Sequence, residues 1–145
     1  MTAIRPATRS FLLVTALALS GCGMMAQSPN VTLSGKLAGA SEVPPTGSSG
    51  SGTVEATLNK ETNQLRWKVV YSGLSGPATA AHFHGPAAAG QNAGVALGFK
   101  NPASPIEGEA TITAAQAADL LAGRWYVNVH SRANPGGEIR GQVTP

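Results

Sequence analysis

From Thr53 to Val69 the chain alternates apolar and polar residues one by one. Val54, Ala56 and Leu58 alternate with polar neighbours, Lys60-Glu61-Thr62-Asn63 interrupts the run, and Leu65, Trp67 and Val69 then alternate with Arg66 and Lys68. Side chains two residues apart share one face of a strand, so this stretch reads as a β-hairpin with one dry and one wet face. A helix would scatter the same apolar residues around its whole circumference. Glycine and proline reinforce the point. The chain carries 18 Gly and 10 Pro, and only 12% of its residues are charged. That composition excludes a coiled coil or charged bundle and suits short strands joined by tight turns.

The remaining strand signals follow the same pattern. They cover residues 31–37, 78–84, 94–99, 106–112, 125–130 and 138–143. Gly35 inside the first implies a bulge or a close approach of another backbone. Glu42-Val43-Pro44-Pro45 is extended, and its prolines confine it to an edge or a turn. Thr46 to Gly52 is a Gly/Ser loop without a phosphate-binding signature. One helix is expected near 114–122: Thr113 and Gln116 form a capping-box pair, Ala117, Leu120 and Leu121 share a face, and Gly123 stops it. Eight or nine short strands and one short helix make an all-β, antiparallel sandwich or flattened barrel in a single domain.

The N-terminus is of another kind. Arg5 and Arg9 precede the apolar run Phe11 to Leu19, which is too short for a permanent membrane span. Leu19-Ser20-Gly21-Cys22 follows and resembles a bacterial lipobox. The expectation is a lipoprotein signal peptide over 1–21, lipidation of Cys22, a tether over 22–30 and the folded domain over 31–145. Three acyl chains would hold the protein stably on a membrane of the bacterial cell envelope, on the periplasmic or extracellular face. Two of the 10 basic residues lie in the signal segment, so the mature chain has 8 Lys+Arg against 7 Asp+Glu. It carries no basic run, and nucleic-acid binding has no electrostatic basis. The lone Cys is taken by lipid, which leaves no disulfide and no thiol nucleophile.

The chain has three histidines, and they fall in two places. His82 and His84 flank Phe83 on one strand and so share a face. His130 ends the strand that begins at Trp125. A third imidazole arriving from a neighbouring strand would complete a His₃ set, which suits copper ahead of zinc and leaves a coordination position open. The plainer reading of His-x-His is a polar pair at a sheet edge. Asn128 shares the face of His130 and is a candidate hydrogen-bond partner for it, or for a neighbouring loop. Asn134-Pro135-Gly136-Gly137 is a tight turn into the last strand. A hairpin there would bring Arg140 near the histidines as an anion-steering cation, the alternative being a surface or Glu-paired arginine. Glu107 and Glu109 share a strand face and read as solvated. No nucleophile elbow or dinucleotide fingerprint is present, and no residue is assigned a catalytic role.

Ser41-Glu42-Val43-Pro44-Pro45, Tyr71-Ser72-Gly73-Leu74, Ala80-Ala81-His82-Phe83-His84-Gly85-Pro86-Ala87, Tyr126-Val127-Asn128-Val129-His130 and Asn134-Pro135-Gly136-Gly137-Glu138-Ile139-Arg140-Gly141 together resemble the CHRD family. This domain was first named in chordin, which binds growth factors outside cells, and it also occurs in bacterial secreted proteins. The resemblance covers nearly all of 31–145 and implies an immunoglobulin-like β-sandwich. The order of the His-x-His segment, Gly123-Arg124, His130 and Arg140 is distantly similar to copper/zinc superoxide dismutases. That likeness matches the three histidines to copper ligands and Arg140 to the arginine that guides superoxide. This sequence lacks the bridging histidine, the zinc ligands and the disulfide. Three functions are therefore carried forward: a copper-binding envelope lipoprotein, a metal-free extracytoplasmic module gripping a protein or glycan, and a superoxide-directed redox enzyme.

Overall fold

The computed structural model describes residues 28–145, so the signal peptide expected over 1–21 and the lipidation expected at Cys22 lie outside the described residues. Eight strands and one helix follow in order: β1 (Asn30–Ala38), β2 (Ser51–Asn59), β3 (Gln64–Ser72), β4 (Ala78–His84), β5 (Val95–Gly98), β6 (Ile106–Thr111), α1 (Ala114–Leu121), β7 (Trp125–Ser131) and β8 (Ile139–Val143). All pairings between strands are antiparallel, in the order β5-β4-β7-β8-β1-β2-β3-β6. It is one continuous sheet curled upon itself, and its two four-stranded halves face each other as the layers of a sandwich. Glu42 to Pro45 is not a strand. It follows a single 3₁₀ turn (Gly39–Ser41) and covers the outer face of the sheet's first half.

The β2–β3 hairpin forms where the alternation places it, with Asn59 opposite Gln64 and Asn63 at φ 55° in the turn. Val54, Leu58, Leu65 and Val69 are fully buried, while Arg66 and Lys68 face water. Across β6 those two cations meet Glu109 and Glu107 at 3.0 and 2.9 Å. The glutamate pair is thus bridged, and such exposed pairs contribute little to stability. In the other half Ala81, Phe83, Trp125, Val127 and Val129 point inward. The two faces meet where Trp67 sets its edge on Phe83, with 5.6 Å between ring centroids, and stacks on Phe99 at 5.3 Å.

The halves join at a narrow seam between β1 and β8. Gly35 of β1 lies against the Gln142 carbonyl, and Gly141 of β8 lies against the Lys36 carbonyl. Neither position has room for a Cβ, and this is the close approach that Gly35 signals in the sequence. The capping box of α1 is formed in full: Gln116 N–H donates to Thr113 Oγ1, and Thr113 N–H donates to Gln116 Oε1. Among the described residues no helix is long and apolar enough to cross a membrane.

Candidate metal centre

Phe83 and Ala81 turn into the core, so their neighbours His82 and His84 must project from the outer face of β4. On β7 the same alternation buries Trp125, Val127 and Val129 and turns Tyr126, Asn128 and His130 outward. The register pairs Ala80 with His130 and His82 with Asn128, which sets His130 diagonal to His82 and within reach of its ring. The three imidazoles converge. His82 Nδ1 lies 3.2 Å from His130 Nε2, and one nitrogen from each ring falls within 4.8 Å of the others.

Each ring is aimed from behind by a backbone carbonyl or by a neighbouring ring. His84 Nδ1 donates to the Ala93 carbonyl at 3.1 Å, and His130 Nδ1 donates to the Pro135 carbonyl at 2.9 Å. A ring nitrogen facing a carbonyl carries the proton, so both rings turn an unprotonated Nε2 toward the cluster. For His84 that Nε2 is buried and has no partner at all. With that proton placement His82 Nδ1–H donates to His130 Nε2. Burial, and after it the neighbouring imidazoles, hold His82 below the usual histidine range. Burial also lowers His84, against the opposing bond to Ala93. Both are therefore neutral at neutral pH, the form in which imidazole binds metal. A buried orphan nitrogen, set beside two more imidazole nitrogens and free of carboxylates, fits a borderline or soft transition metal.

The neighbours differ from the sequence expectations. Asn128 makes no hydrogen bond to a histidine. Its Nδ2 donates to Glu42 Oε1 at 2.6 Å, and its Oδ1 is buried without a partner. The residues that orient the rings are the carbonyls of Ala93 and Pro135, and side-chain identity gives no hint of either. Arg140 is neither a surface arginine nor paired to a glutamate. It is 2% exposed, donates to Asn92 Oδ1 and the Gln91 carbonyl, and lies 3.4 Å over the centroid of Tyr126. Tyr126, which the sequence reading gave no role, stands between Arg140 and His84 and stacks on the His84 ring at 4.9 Å and 5°. Its place on the outward face with Asn128 and His130 is the signal that could have found it. Glu42 is buried beside Asn128, and desolvation raises its carboxyl to about 7 against the opposing pull of Arg140 and the Val43 N–H.

Fold and cluster together define an all-β module that carries three convergent histidines. The model of the CHRD domain matches residues 33–143, and the chain belongs to that family. Neither the curated proteins nor the solved structures provide a match.

Proposed function

We propose that this CHRD-domain protein is an envelope-anchored lipoprotein that binds one metal ion, copper ahead of zinc, through His82 Nδ1, His84 Nε2 and His130 Nε2. The observation that carries the reading is the orphaned His84 Nε2, a buried acceptor beside two other imidazole nitrogens. Leaving such an atom unpaired costs on the order of 1–3 kcal/mol, which a metal ion would recover. Bonds of about 2.0–2.1 Å to one ion place donor atoms roughly 3.3–3.6 Å apart. The His82–His130 spacing already approaches that, and closing the set asks only for a small inward shift of His84. Binding would move the His82 proton from Nδ1 to Nε2 without changing the ring's charge. Copper ranks above zinc because affinity for nitrogen donors peaks at copper along the divalent series, and no carboxylate is present to favour a harder ion. The lipobox-like Leu19-Ser20-Gly21-Cys22 supports attachment to the envelope.

The test is copper titration of the full chain in detergent beside His84→Ala. One copper per chain is expected for the wild type, with affinity reduced at least roughly 100-fold in the variant, beyond what loss of an outer-shell partner causes. Equal binding by both proteins, or none by either, would refute the site. For the anchor, Cys22→Ser should release the chain from the membrane fraction, and retention there would overturn lipidation.

A further inference from the structure

Arg140 poses a question that the copper reading leaves open. Its guanidinium is buried, yet none of the three ion pairs among the described residues includes it. Burying a cation costs several kcal/mol unless strong partners replace water. Glu42 feels its charge without forming an ion pair, and the hydrogen bonds and aromatic contact of the Arg140 side chain all lead toward His84.

Two of these partners are consecutive residues in the loop between β4 and β5: Nη1 donates to Asn92 Oδ1 at 2.9 Å, and Nη2 donates to the Gln91 carbonyl at 2.6 Å. The next residue along is Ala93, whose carbonyl accepts from His84 Nδ1. The third partner is the ring of Tyr126, which lies against the His84 ring. Tyr126 then closes the circuit. Its hydroxyl accepts from Ala93 N–H at 3.1 Å and donates to the Ala93 carbonyl at 3.3 Å. His84 is therefore set by two things, the plane it stacks on and the carbonyl that takes its proton. Arg140 holds the ring of the first and the two loop residues just before the second.

We propose that Arg140 is a positioning residue that fixes the orientation and tautomer of His84 and so presents Nε2 to the ion. This rests on the metal reading for its purpose, though not for its geometry. The role needs an arginine. A planar fork can stack on an aromatic ring while its two nitrogens hold separate acceptors, and a lysine ammonium at the same place cannot do both.

The experiment compares wild type, Arg140→Lys and Asn92→Ala as full chains. Asn92 sits on an exposed loop, so its removal deletes one anchor of Arg140 without opening the core. Histidine nitrogen NMR on the metal-free proteins reads each tautomer. In the wild type His84 and His130 should both be Nδ1–H. In Arg140→Lys, His84 should become a mixture of tautomers while His130, held separately by Pro135, stays fixed. Copper affinity should fall about 10–100-fold, the usual effect of losing an outer partner, and by less in Asn92→Ala. If Arg140→Lys does not fold, Asn92→Ala decides the matter. A folded variant that keeps the wild-type His84 tautomer and binds copper within about twofold of wild type overturns the proposal. A wild type that binds no copper but loses its His84 tautomer in the variants defeats the metal reading and upholds the positioning role.

Discussion

At the scale of single residues, the most heavily bonded side chain near the centre is Glu138, at the start of the last strand signal in the sequence. It is fully buried and meets no cation, but accepts from Ser48 Oγ, Ser75 N–H and Ser75 Oγ at 2.7 Å each, and from Ser131 Oγ. Burial alone would raise its carboxyl. The hydrogen bonds from Ser131, Ser48 and Ser75 outweigh that and hold it at about 2. One carboxylate thereby ties two loops to the β7–β8 turn, and that turn supplies the Pro135 carbonyl that aims His130. Glu138→Ala should cost roughly 3 kcal/mol or more, because several buried donors lose their acceptor together. Glu138→Gln should cost less, since hydroxyl donors can rotate to meet an amide. Urea unfolding of both variants measures the difference, and equal loss in the two would mean that charge matters more than the number of bonds. Copper affinity should follow stability in Glu138→Ala, through His130.

At the scale of elements, legibility follows range. The β2–β3 hairpin, the capped helix and the outward pairing of His82 with His84 all depend on residues a few positions apart, where period and side-chain chemistry act directly. His130 was found because all its inward neighbours are large and apolar, which left it one direction to face. The supports of the cluster were not legible. Ala93 and Pro135 act through their carbonyls, which every residue has, and Arg140 is buried by two loops whose paths are settled only by the whole fold. Asn128 shows the same limit: the face was right, but the partner, Glu42, comes from 86 positions away. The seam between β1 and β8 lies between these cases, since Gly35 announced a close approach without naming what approached. Its counterpart Gly141 provides the test. A methyl there meets the Lys36 carbonyl, a backbone atom that cannot step aside without moving β1. Gly141→Ala is expected to lose about 1–3 kcal/mol, as overpacked sites do. An unchanged urea midpoint would mean that the two strands can part without loss.

For the molecule as a whole, the outer face of β7 and β8 is covered by loops instead of water, and this makes ionisation a global matter. A sandwich with both faces of one layer buried must either satisfy the charges it encloses or neutralise them. Glu138 is satisfied, whereas Glu42 is largely desolvated, with its carboxyl raised from 4.5 to about 7. Between those values the fold holds a proton that the unfolded chain has released, so Glu42 contributes its stability below about 4.5 and loses it as pH rises through 7. Glu138 acts oppositely. Held at about 2, it supports the fold above 4.5 and fails as pH falls toward 2. His82 and His84, lowered from 6.5, also favour the fold as pH rises toward that value, and they mask part of the Glu42 effect below it. The histidines are common to wild type and Glu42→Gln, so the difference between the two metal-free proteins isolates Glu42, and it changes between about pH 4.5 and 7. Across that window wild-type stability should fall relative to Glu42→Gln, and above about pH 8 the two curves should run parallel. Over the full range from pH 4 to 8 the variant should gain on the wild type by about 3 kcal/mol, the worth of a shift of this size. Curves that stay parallel over that whole range, in urea titrations at each pH, would show that Glu42 keeps its charge in the fold. In that event the pull of Arg140, the buried cation that already opposes the rise, must outweigh the desolvation of Glu42.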